Sequence, residues 1–325
     1  MYYHIHIFLL LILSEDRKTS FISDWKKIEF NLQLLKDNIV GIMESKTEEV
    51  INEYVVTITF GERVENHTGN QMLGELGSEG MNSEDLERAQ NLFIKKGFKT
   101  DLVDLVEAGE VEEVVPKPQP ASVLIIRDGY KAFLGDVDLE EINKEVLKDT
   151  WDKKCWMRGR VVNKKARWNL CYTDESQEPN YEKKEGRIIA FKDVPNLNKI
   201  REGLPTFFGK KANKLYAEGN YYYDKKNTYI GFHGDSERRI VIAMRLGNMC
   251  MPFHYQWFCR SLPIGKRIVM DLHPGDVYIM SEKAVGTDWK KKIIPTLRHA
   301  TAMNEKWLVI KEKKKVLEIV EEEDE

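Results

Sequence analysis

The sequence contains few of the residues that mark several large classes of protein. Only 4 of the 325 residues are cysteines, and they are widely spaced with no CxxC pair. This spacing excludes a disulfide framework and favours a reducing, intracellular compartment. Glycine (21 residues) and proline (10 residues) follow no period, so a collagen-like or low-complexity chain is excluded as well.

Long apolar segments are also absent. The first apolar run, residues 7–13, is shorter than the ~20 residues that a membrane-spanning helix needs. No Lys or Arg precedes this run and no small-residue cleavage site follows it, so it does not match a signal peptide. Residues 14–42 continue with apolar side chains at a spacing of three to four, which predicts an amphipathic helix. We therefore interpret residues 1–42 as an N-terminal appendage of a soluble protein that does not contact membranes. We expect the protein to be a monomer.

Opposite charges are segregated along the chain, although its net charge is only −3. Residues 1–150 contain 16 Lys and Arg against 29 Asp and Glu, whereas residues 151–214 contain 16 against 8. Residues 215–301 contain 13 against 8, so the excess changes from −13 to +8 and +5 along the chain. A basic half of this kind indicates an anionic partner, with nucleic acid as the leading candidate. A lysine-rich solvated surface without a partner is the alternative.

The first half of the chain has the pattern of a small α/β module. Residues 54–60 alternate in the manner of a half-buried strand, and residues 84–96 form a predicted helix that ends at a glycine. We expect this module to cover residues 43–109 and a Pro-rich linker to cover residues 110–121. A polar loop within the module is either a binding site or, more simply, a hydrogen-bonded turn; its residues are Arg63, Glu65, Asn66 and His67.

Short strands separated by turns dominate the second half, residues 122–310. Seven or more such strands, interrupted by one helix near residues 196–204, indicate a β-sandwich or barrel within an overall α+β fold. Residues 311–325 are a charged C-terminal tail. The predicted strands are 123–127, 159–162, 187–191, 239–243, 252–258, 267–272, 276–280 and 307–310.

The pair His233 and Asp235 is the most informative motif of the chain. Side chains alternate along a strand, so His-x-Asp places an imidazole and a carboxylate on the same face. With one distant histidine, such a pair makes the facial triad that binds Fe(II) in non-haem oxygenases. Three ligands on one face leave three metal positions for cosubstrate and O2. Alone, however, the motif is short enough to arise by chance.

The surroundings of this motif resemble the AlkB-like family of Fe(II)/2-oxoglutarate dioxygenases over about residues 151–310. The resemblance is carried by Asn-Tyr-Tyr at 220–222, His-Gly-Asp at 233–235, Arg-Leu-Gly at 245–247 and Gly-Asp at 275–276. It implies a double-stranded β-helix (jelly-roll) domain over residues 122–310. It also implies Fe(II), 2-oxoglutarate and O2 as cofactor and cosubstrates, with Asn220 and Tyr222 contacting 2-oxoglutarate. The activity implied is hydroxylation or oxidative demethylation of alkylated bases in nucleic acid.

The third metal ligand implied by the resemblance is His299, which follows the Gly-Asp strand at about the interval expected. His254 and His273 are more typical of ordinary strand and turn histidines. A rival register places Lys291 where the family has its histidine, and it would leave iron with two protein ligands. That register would make the chain a catalytically silent nucleic-acid-binding module.

The anchor for the far carboxylate of 2-oxoglutarate departs from the family pattern. The family supplies an arginine after the distal histidine, and this chain has none beyond Arg298. Arg298 itself is one candidate for the role, because arginine binds carboxylates through paired hydrogen bonds. Lys306 and Lys311 are point-charge substitutes.

Residues 169–174 resemble the family's nucleotide-recognition lid. The stretch of chain around them is basic and contains aromatic residues. An alkylated base has to leave its stack to reach a metal, and aromatic side chains are suited to receive it. Core packing is the alternative for each of them, and a protein hydroxylase or demethylase on the same scaffold is the alternative function. The stacking candidates are Trp168, Tyr172 and Tyr181.

Overall fold

The computed structural model describes residues 52–310, together with the isolated helical positions Lys27 and Asn31. The predicted tail over residues 311–325 and nearly all of the predicted appendage over residues 1–42 therefore lie outside the described residues. No helix in the described part of the chain is long and apolar enough to cross a membrane.

The described fold is a β-rich α+β fold, as the density of short strands predicts. Its helices are α1 (Ser83–Lys95), α2 (Lys131–Leu134), α3 (Leu139–Leu147), α4 (Pro195–Phe208) and α5 (Glu282–Val285). Its strands are β1 (Val55–Gly61), β2 (Arg63–Glu65), β3 (Met72–Gly74), β4 (Thr100–Asp104), β5 (Ser122–Ile126), β6 (Lys154–Met157), β7 (Arg160–Asn163), β8 (Trp168–Thr173), β9 (Ile188–Ala190), β10 (Tyr216–Tyr222), β11 (Tyr229–His233), β12 (Val241–Gly247), β13 (Met251–Cys259), β14 (Leu262–Leu272), β15 (Val277–Met280) and β16 (Thr296–Ala302).

Two sheets carry most of these strands. The larger has eight strands in the order β4-β5-β15-β12-β1-β10-β8-β9, and the smaller has four in the order β11-β16-β13-β14. Every pair in them is antiparallel except β8 with β9. Two hairpins, β2–β3 and β6–β7, stand apart from these sheets. Strand 307–310 was predicted wrongly, because residues 305–308 form a 3-10 helix there, in which Trp307 stacks on Tyr229.

The strand predicted to belong to a separate module lies in the centre of the larger sheet. β1 pairs with β10 on one side and with β12 on the other, so that Val56 is opposite both Tyr221 and Leu246. The predicted linker is also part of the fold, because Val111 and Ala121 are buried in the core between the sheets. The described residues of the predicted module and linker thus share one fold with residues 122–310, which corrects the predicted division. Local alternation identifies a strand but does not reveal its distant partners.

The larger sheet is buried on both faces, and its side-chain alternation produces two apolar cores. Ile242, Met244 and Leu246 of β12 pack in the core that also contains apolar residues of α1 to α4. Val241 and Ala243, on the opposite face, pack in a second core with residues of the smaller sheet. The two sheets therefore face each other across this second core, and inward side chains beyond it line a polar cavity.

Candidate metal centre and the cavity around it

A cavity of about 380 Å³ lies between the two sheets beside the second core. Its walls include inward side chains of β1, β10 and β12 from the larger sheet and of β13 and β16 from the smaller sheet. The segment predicted as a polar loop also lines it, although Arg63 and Glu65 belong to β2 and only Asn66 and His67 lie in the bend after that strand. The sequence alone left open whether this loop belongs to a site, and the structure places it at the cavity.

The structure brings together the three residues predicted as metal ligands. β11 and β16 are antiparallel neighbours with His233 opposite His299, and the centroids of the two imidazole rings are 4.4 Å apart. The Asp235 carboxylate lies beside both rings, with its Oδ1 3.4 Å from His233 Nε2 and 3.6 Å from His299 Nε2. One potential ligand atom of each residue lies within 4.8 Å of the other two.

The short loop after β11 fixes the direction of these side chains. The backbone N–H of Asp235 donates to the Val285 carbonyl at 3.0 Å, which ties the loop to α5. A Cβ on Gly234 would lie 2.2 Å from the Gly286 carbonyl oxygen, so the close approach requires glycine. His233 Nδ1 lies 2.8 Å from the Gly231 carbonyl, which orients the ring so that Nε2 is the nitrogen that faces Asp235.

The charges of the three residues suit a cation. Burial raises the pKa of Asp235, but the Arg238 guanidinium and hydrogen bonds with His233 and His299 outweigh it, so that this pKa lies well below its usual range. Burial lowers the pKa of His299, and the neighbouring His233 lowers it further, although Asp235 partly opposes both. An ionised carboxylate and a neutral imidazole are the protonation states that metal binding requires.

Arg238 holds the other side of the Asp235 carboxylate. Its Nη2 donates to Glu218 Oε2 at 2.5 Å and to Glu237 Oε1 at 2.9 Å, and its Nε lies 3.5 Å from Asp235 Oδ2. The Arg238 side chain is almost fully buried. With Oδ2 facing the guanidinium, Oδ1 is directed at the two imidazoles. This group of three carboxylates and one guanidinium has a formal net charge of −2 when every carboxylate is ionised. Burial and the charge of Asp235 raise the pKa of Glu237, and a divalent cation nearby would favour its ionised form.

Asn220 and Tyr222, predicted to contact a cosubstrate, both lie on β10 and line the cavity. Asn220 Oδ1 accepts hydrogen bonds from Arg167 Nε and Asn169 Nδ2, each at 2.6 Å, while its Nδ2 donates to Glu218. Burial raises the pKa of the Tyr222 phenol, which is therefore a neutral donor over the physiological range.

Arg245 is a cavity residue that sequence reasoning missed. It lies in β12, one strand from β10 across β1, and its side chain is only 1% exposed. Its Nη1 donates to Thr57 Oγ1 at 2.8 Å and its Nη2 to Thr301 Oγ1 at 3.1 Å, while its Nε has no partner within residues 52–310. The available signal was an arginine within an otherwise apolar strand, Val241–Gly247.

Arg298, the first candidate anchor, is directed away from the cavity. Its guanidinium lies 3.9 Å from the centre of the Phe258 ring and 5.2 Å from that of Trp289. Because successive side chains of a strand alternate, the inward position of His299 forces its neighbour outward. The assignment of Arg298 to cosubstrate binding is therefore wrong. Lys306 lies over the Trp307 ring and does not line the cavity, and Lys311 is outside the described residues.

The rival ligands are not at the centre either. Lys291 is exposed and lines a different surface depression. His254 is buried in β13 but does not line the cavity, because the inward position there belongs to Phe253. His273 lies in the turn before β15, where its backbone N–H donates to Asp276.

The three predicted stacking residues also lie away from the cavity. Trp168 is directed to the other face of the sheet from Arg167 and Asn169, and it stacks on Tyr223 at 4.0 Å. Tyr172 is fully buried in the core beneath the helices, and the Tyr181 hydroxyl donates to Asp152 at 2.7 Å. Their assignment as residues that contact a substrate in this cavity is therefore corrected to packing and hydrogen bonding within the fold.

A basic groove of about 370 Å³ adjoins the cavity. Residues 153–173, which include the hairpin β6–β7, contain seven Lys and Arg and no Asp or Glu. The groove shares His67, Arg167 and Asn169 with the cavity, so the two spaces are neighbours with these residues between them. The cations that line it are Arg158, Arg160, Lys164, Lys165 and Arg167.

A comparison with known proteins shows that the sequence of this chain is similar to that of a viral protein. No family model matches the sequence. The chain is 46% identical over 246 residues to an uncharacterized protein of Acanthamoeba polyphaga mimivirus, and the alignment covers 76% of this chain and 94% of the mimivirus protein. This identity extends over nearly the whole length of the relative, and it is far too high for two unrelated sequences. The chain belongs to the same family as this mimivirus protein.

Proposed function

We propose that the protein is a non-haem Fe(II) oxygenase whose metal is held by His233, Asp235 and His299. The observation that carries this proposal is the convergence of two imidazoles and one carboxylate inside the cavity. Ligand atoms ~2.1 Å from one ion lie within ~4.2 Å of each other. The distances of 3.4 and 3.6 Å from Asp235 Oδ1 meet this limit.

The number and type of ligands favour iron over a structural zinc ion. Among the described residues, the group contains three possible ligands and no fourth His, Cys, Asp or Glu. Structural zinc sites are closed by four ligands, whereas two histidines and one carboxylate with open positions are typical of Fe(II) oxygenases. The fold that we propose around this site is a double-stranded β-helix, and two facing sheets with the site between them support it.

We infer 2-oxoglutarate and O2 as the cosubstrates. When bound, Fe(II) would let O2 oxidise both 2-oxoglutarate, to succinate and CO2, and a substrate C–H bond, to C–OH, while the protein supplies orientation and a dry site. Arg238 holds one carboxylate oxygen of Asp235, so that the other stays aligned with His233 and His299. Phe253 and Tyr278 form an apolar wall of the cavity and limit the access of water.

Nucleic acid is the substrate that the surface supports best. The basic groove adjoins the cavity, and phosphate groups lying in it would leave an extruded base free to enter the cavity. Hydroxylation of an N-methyl group on such a base releases formaldehyde, which amounts to demethylation. Arg167 belongs to both spaces and donates to Asn220, so it lies where the groove meets the cavity.

Turnover of 2-oxoglutarate tests this function directly. Purified protein is loaded anaerobically with Fe(II), and succinate is measured in air with panels of methylated oligonucleotides and methylated peptides. We expect succinate formation that methylated oligonucleotides stimulate and that Asp235→Ala abolishes. Stimulation by peptides alone would identify a protein oxygenase instead. Oligonucleotide binding without bound Fe(II) or turnover would identify a silent binding module and overturn the enzymatic proposal.

A further inference from the structure

Arg245 differs from the other buried arginines of the described chain in having no counter-ion. Three arginines are at most 9% exposed, namely Arg201, Arg238 and Arg245. Arg201 pairs with Asp174 at 2.7 Å, and Arg238 pairs with Glu218 and Glu237. Arg245, the most deeply buried of the three, forms no ion pair with any described residue. A buried charge is costly unless it is paired, so this guanidinium is suited to an anion from outside the chain.

The hydrogen bonds of Arg245 leave capacity for such an anion. A guanidinium has five N–H groups, and the hydroxyls of Thr57 and Thr301 accept from two of them. The Nε–H has no partner although it is buried. The phenols of Tyr222 and Tyr278 line the same cavity. Burial raises the pKa of both phenols, so they stay neutral and bring no negative charge that would compete with an anion for Arg245.

Arg245 opens onto the same cavity as the candidate metal ligands. Thr301, which accepts from Arg245, lies two residues after His299 on β16, so both side chains are on the same face of that strand. Arg245, Thr301 and His299 all line the cavity. The guanidinium comes from the larger sheet and two of the ligands, His233 and His299, from the smaller, so one small molecule between the sheets can reach both.

We propose that Arg245 binds a carboxylate of the molecule that occupies this cavity. Resting on the proposed function, that group is the far carboxylate of 2-oxoglutarate. No arginine follows His299 in the sequence, and Arg298 is directed outward, so the strand of the last ligand offers no arginine for this role. Among the cations that line the cavity, Arg63, Arg167 and Lys290 are partly or fully exposed and Arg238 is paired with carboxylates. Arg245 is the buried cation there without a carboxylate partner among the described residues, so the anchor comes from β12, which crosses the centre of the opposite sheet.

A comparison of two 2-oxo acids isolates the role of Arg245. 2-Oxobutyrate keeps the oxo-acid end of 2-oxoglutarate but lacks the far carboxylate. Binding of each is measured by calorimetry on protein loaded with Mn(II) in the absence of O2, so that no turnover occurs. We expect Arg245→Gln to weaken 2-oxoglutarate binding by at least ~30-fold, since one partner of a buried charge pair is lost. Its effect on 2-oxobutyrate should be less than ~3-fold, within the range of weak surface effects.

Two further variants complete the experiment. Arg245→Lys keeps the positive charge and should recover part of the 2-oxoglutarate affinity, and it also provides a folded variant if Arg245→Gln does not fold. Arg298→Gln removes a neighbouring arginine that lies outside the cavity, and it should bind both acids as the unmodified protein does. An Arg245→Gln variant that loses affinity equally for both acids, or for neither, would overturn the inference.

The failure of this inference can be told apart from failure of the proposed function. If Mn(II) and 2-oxoglutarate bind and the Arg245 variants match the unmodified protein, the inference is wrong and the oxygenase proposal stands. If the protein binds no metal, the same comparison is made with succinate, a dicarboxylate that needs no metal chelation. Loss of succinate binding in Arg245→Gln would then support a carboxylate site in a protein that is not an oxygenase.

Discussion

The space between the two sheets contains two regions built from the same strands. In one region, Trp257, Tyr255 and Leu297 pack into an apolar core. In the other, His299 and Thr301 share a polar cavity with residues of the opposite sheet. β16 contributes to both, since its inward positions change from Leu297 to His299 and Thr301 along the strand.

The two regions treat buried polar atoms differently. In the core, the Trp257 indole N–H donates to the Leu105 carbonyl at 2.7 Å, and the buried Tyr255 hydroxyl has no partner among the described residues. At the cavity, Arg245 Nε and Trp289 Nε1 are buried without a partner among the described residues. Leaving a buried polar group unpaired costs about 1–3 kcal/mol of stability. The core thus leaves a neutral type of group, a hydroxyl, unpaired, whereas the cavity leaves part of a charged guanidinium unpaired, and a bound anion can satisfy that guanidinium.

The largest effect, a loss of metal binding at the cavity without unfolding of the core, is expected from Asp235→Ala. We predict that this variant loses measurable binding of Fe(II), Mn(II) and Co(II), because it removes the only anionic ligand of the group. The fold should survive, because Arg238 keeps Glu218 and Glu237 as partners. Metal content of the purified protein and its thermal unfolding check both parts. Unchanged metal content in Asp235→Ala would remove the basis of the proposed centre.

The opposite result is expected from Trp257→Ala. The side chain is fully buried and its indole is hydrogen-bonded, so truncation should lower the free energy of unfolding by about 3–5 kcal/mol. Metal affinity of the fraction that remains folded should be unchanged, since Trp257 does not line the cavity. Urea unfolding and a Co(II) titration at low temperature measure the two quantities. A comparable loss of metal affinity would show that the two regions are not independent.

An intermediate effect is expected from Arg238→Gln. Removal of a group that orients a metal ligand costs about 10- to 100-fold in metal affinity. Arg239→Gln is a matched control, because Arg239 also pairs with a glutamate, Glu282, but does not line the cavity. We predict weaker Co(II) binding and an altered Co(II) absorption spectrum for Arg238→Gln alone. Equal effects of the two variants would contradict the role of Arg238 in orienting Asp235.

The candidate ligands were more predictable from sequence than the groups around them. His233 and Asp235 are two residues apart on a strand, so the motif itself states that they share a face. The same rule excludes Arg298 once His299 is inward, and it excludes Trp168 once Arg167 and Asn169 are inward. These two errors came from considering residue type without strand alternation.

Other features depend on contacts that no local pattern contains. β1 lies between β10 and β12 because hydrogen bonds join segments more than 150 residues apart, such as Val56 with Tyr221 and Leu246. The surroundings of Arg245 likewise depend on distant segments, because its two hydrogen-bond partners are Thr57, on β1, and Thr301, on β16. An arginine inside an apolar strand is a signal that such a position has a partner elsewhere.

A smaller effect is expected at the basic groove. We predict that Arg158→Ser combined with Arg160→Ser weakens binding of single-stranded oligonucleotides and lowers the salt dependence. Each phosphate contact contributes about −0.7 to the slope of log K against log salt, so the slope should fall in magnitude by about 1.4. Lys95→Ser, on α1 away from both spaces, is the control. An unchanged slope in the double variant would place nucleic acid elsewhere on the surface.

An effect on pH dependence alone is expected from His67, which lines both the groove and the cavity. Burial, followed by the charges of Lys164 and Arg167, lowers the pKa of His67 from 6.5 to about 4. Between these two values the unfolded chain binds a proton that the folded chain does not, so this residue reduces stability as the pH falls. In His67→Gln the loss of unfolding free energy from pH 6.5 to pH 4 should therefore be smaller than in the unmodified protein, with no difference in slope above pH 7. Parallel pH profiles for the two proteins, measured by urea unfolding, would mean that His67 is as solvated in the folded state as in the unfolded chain.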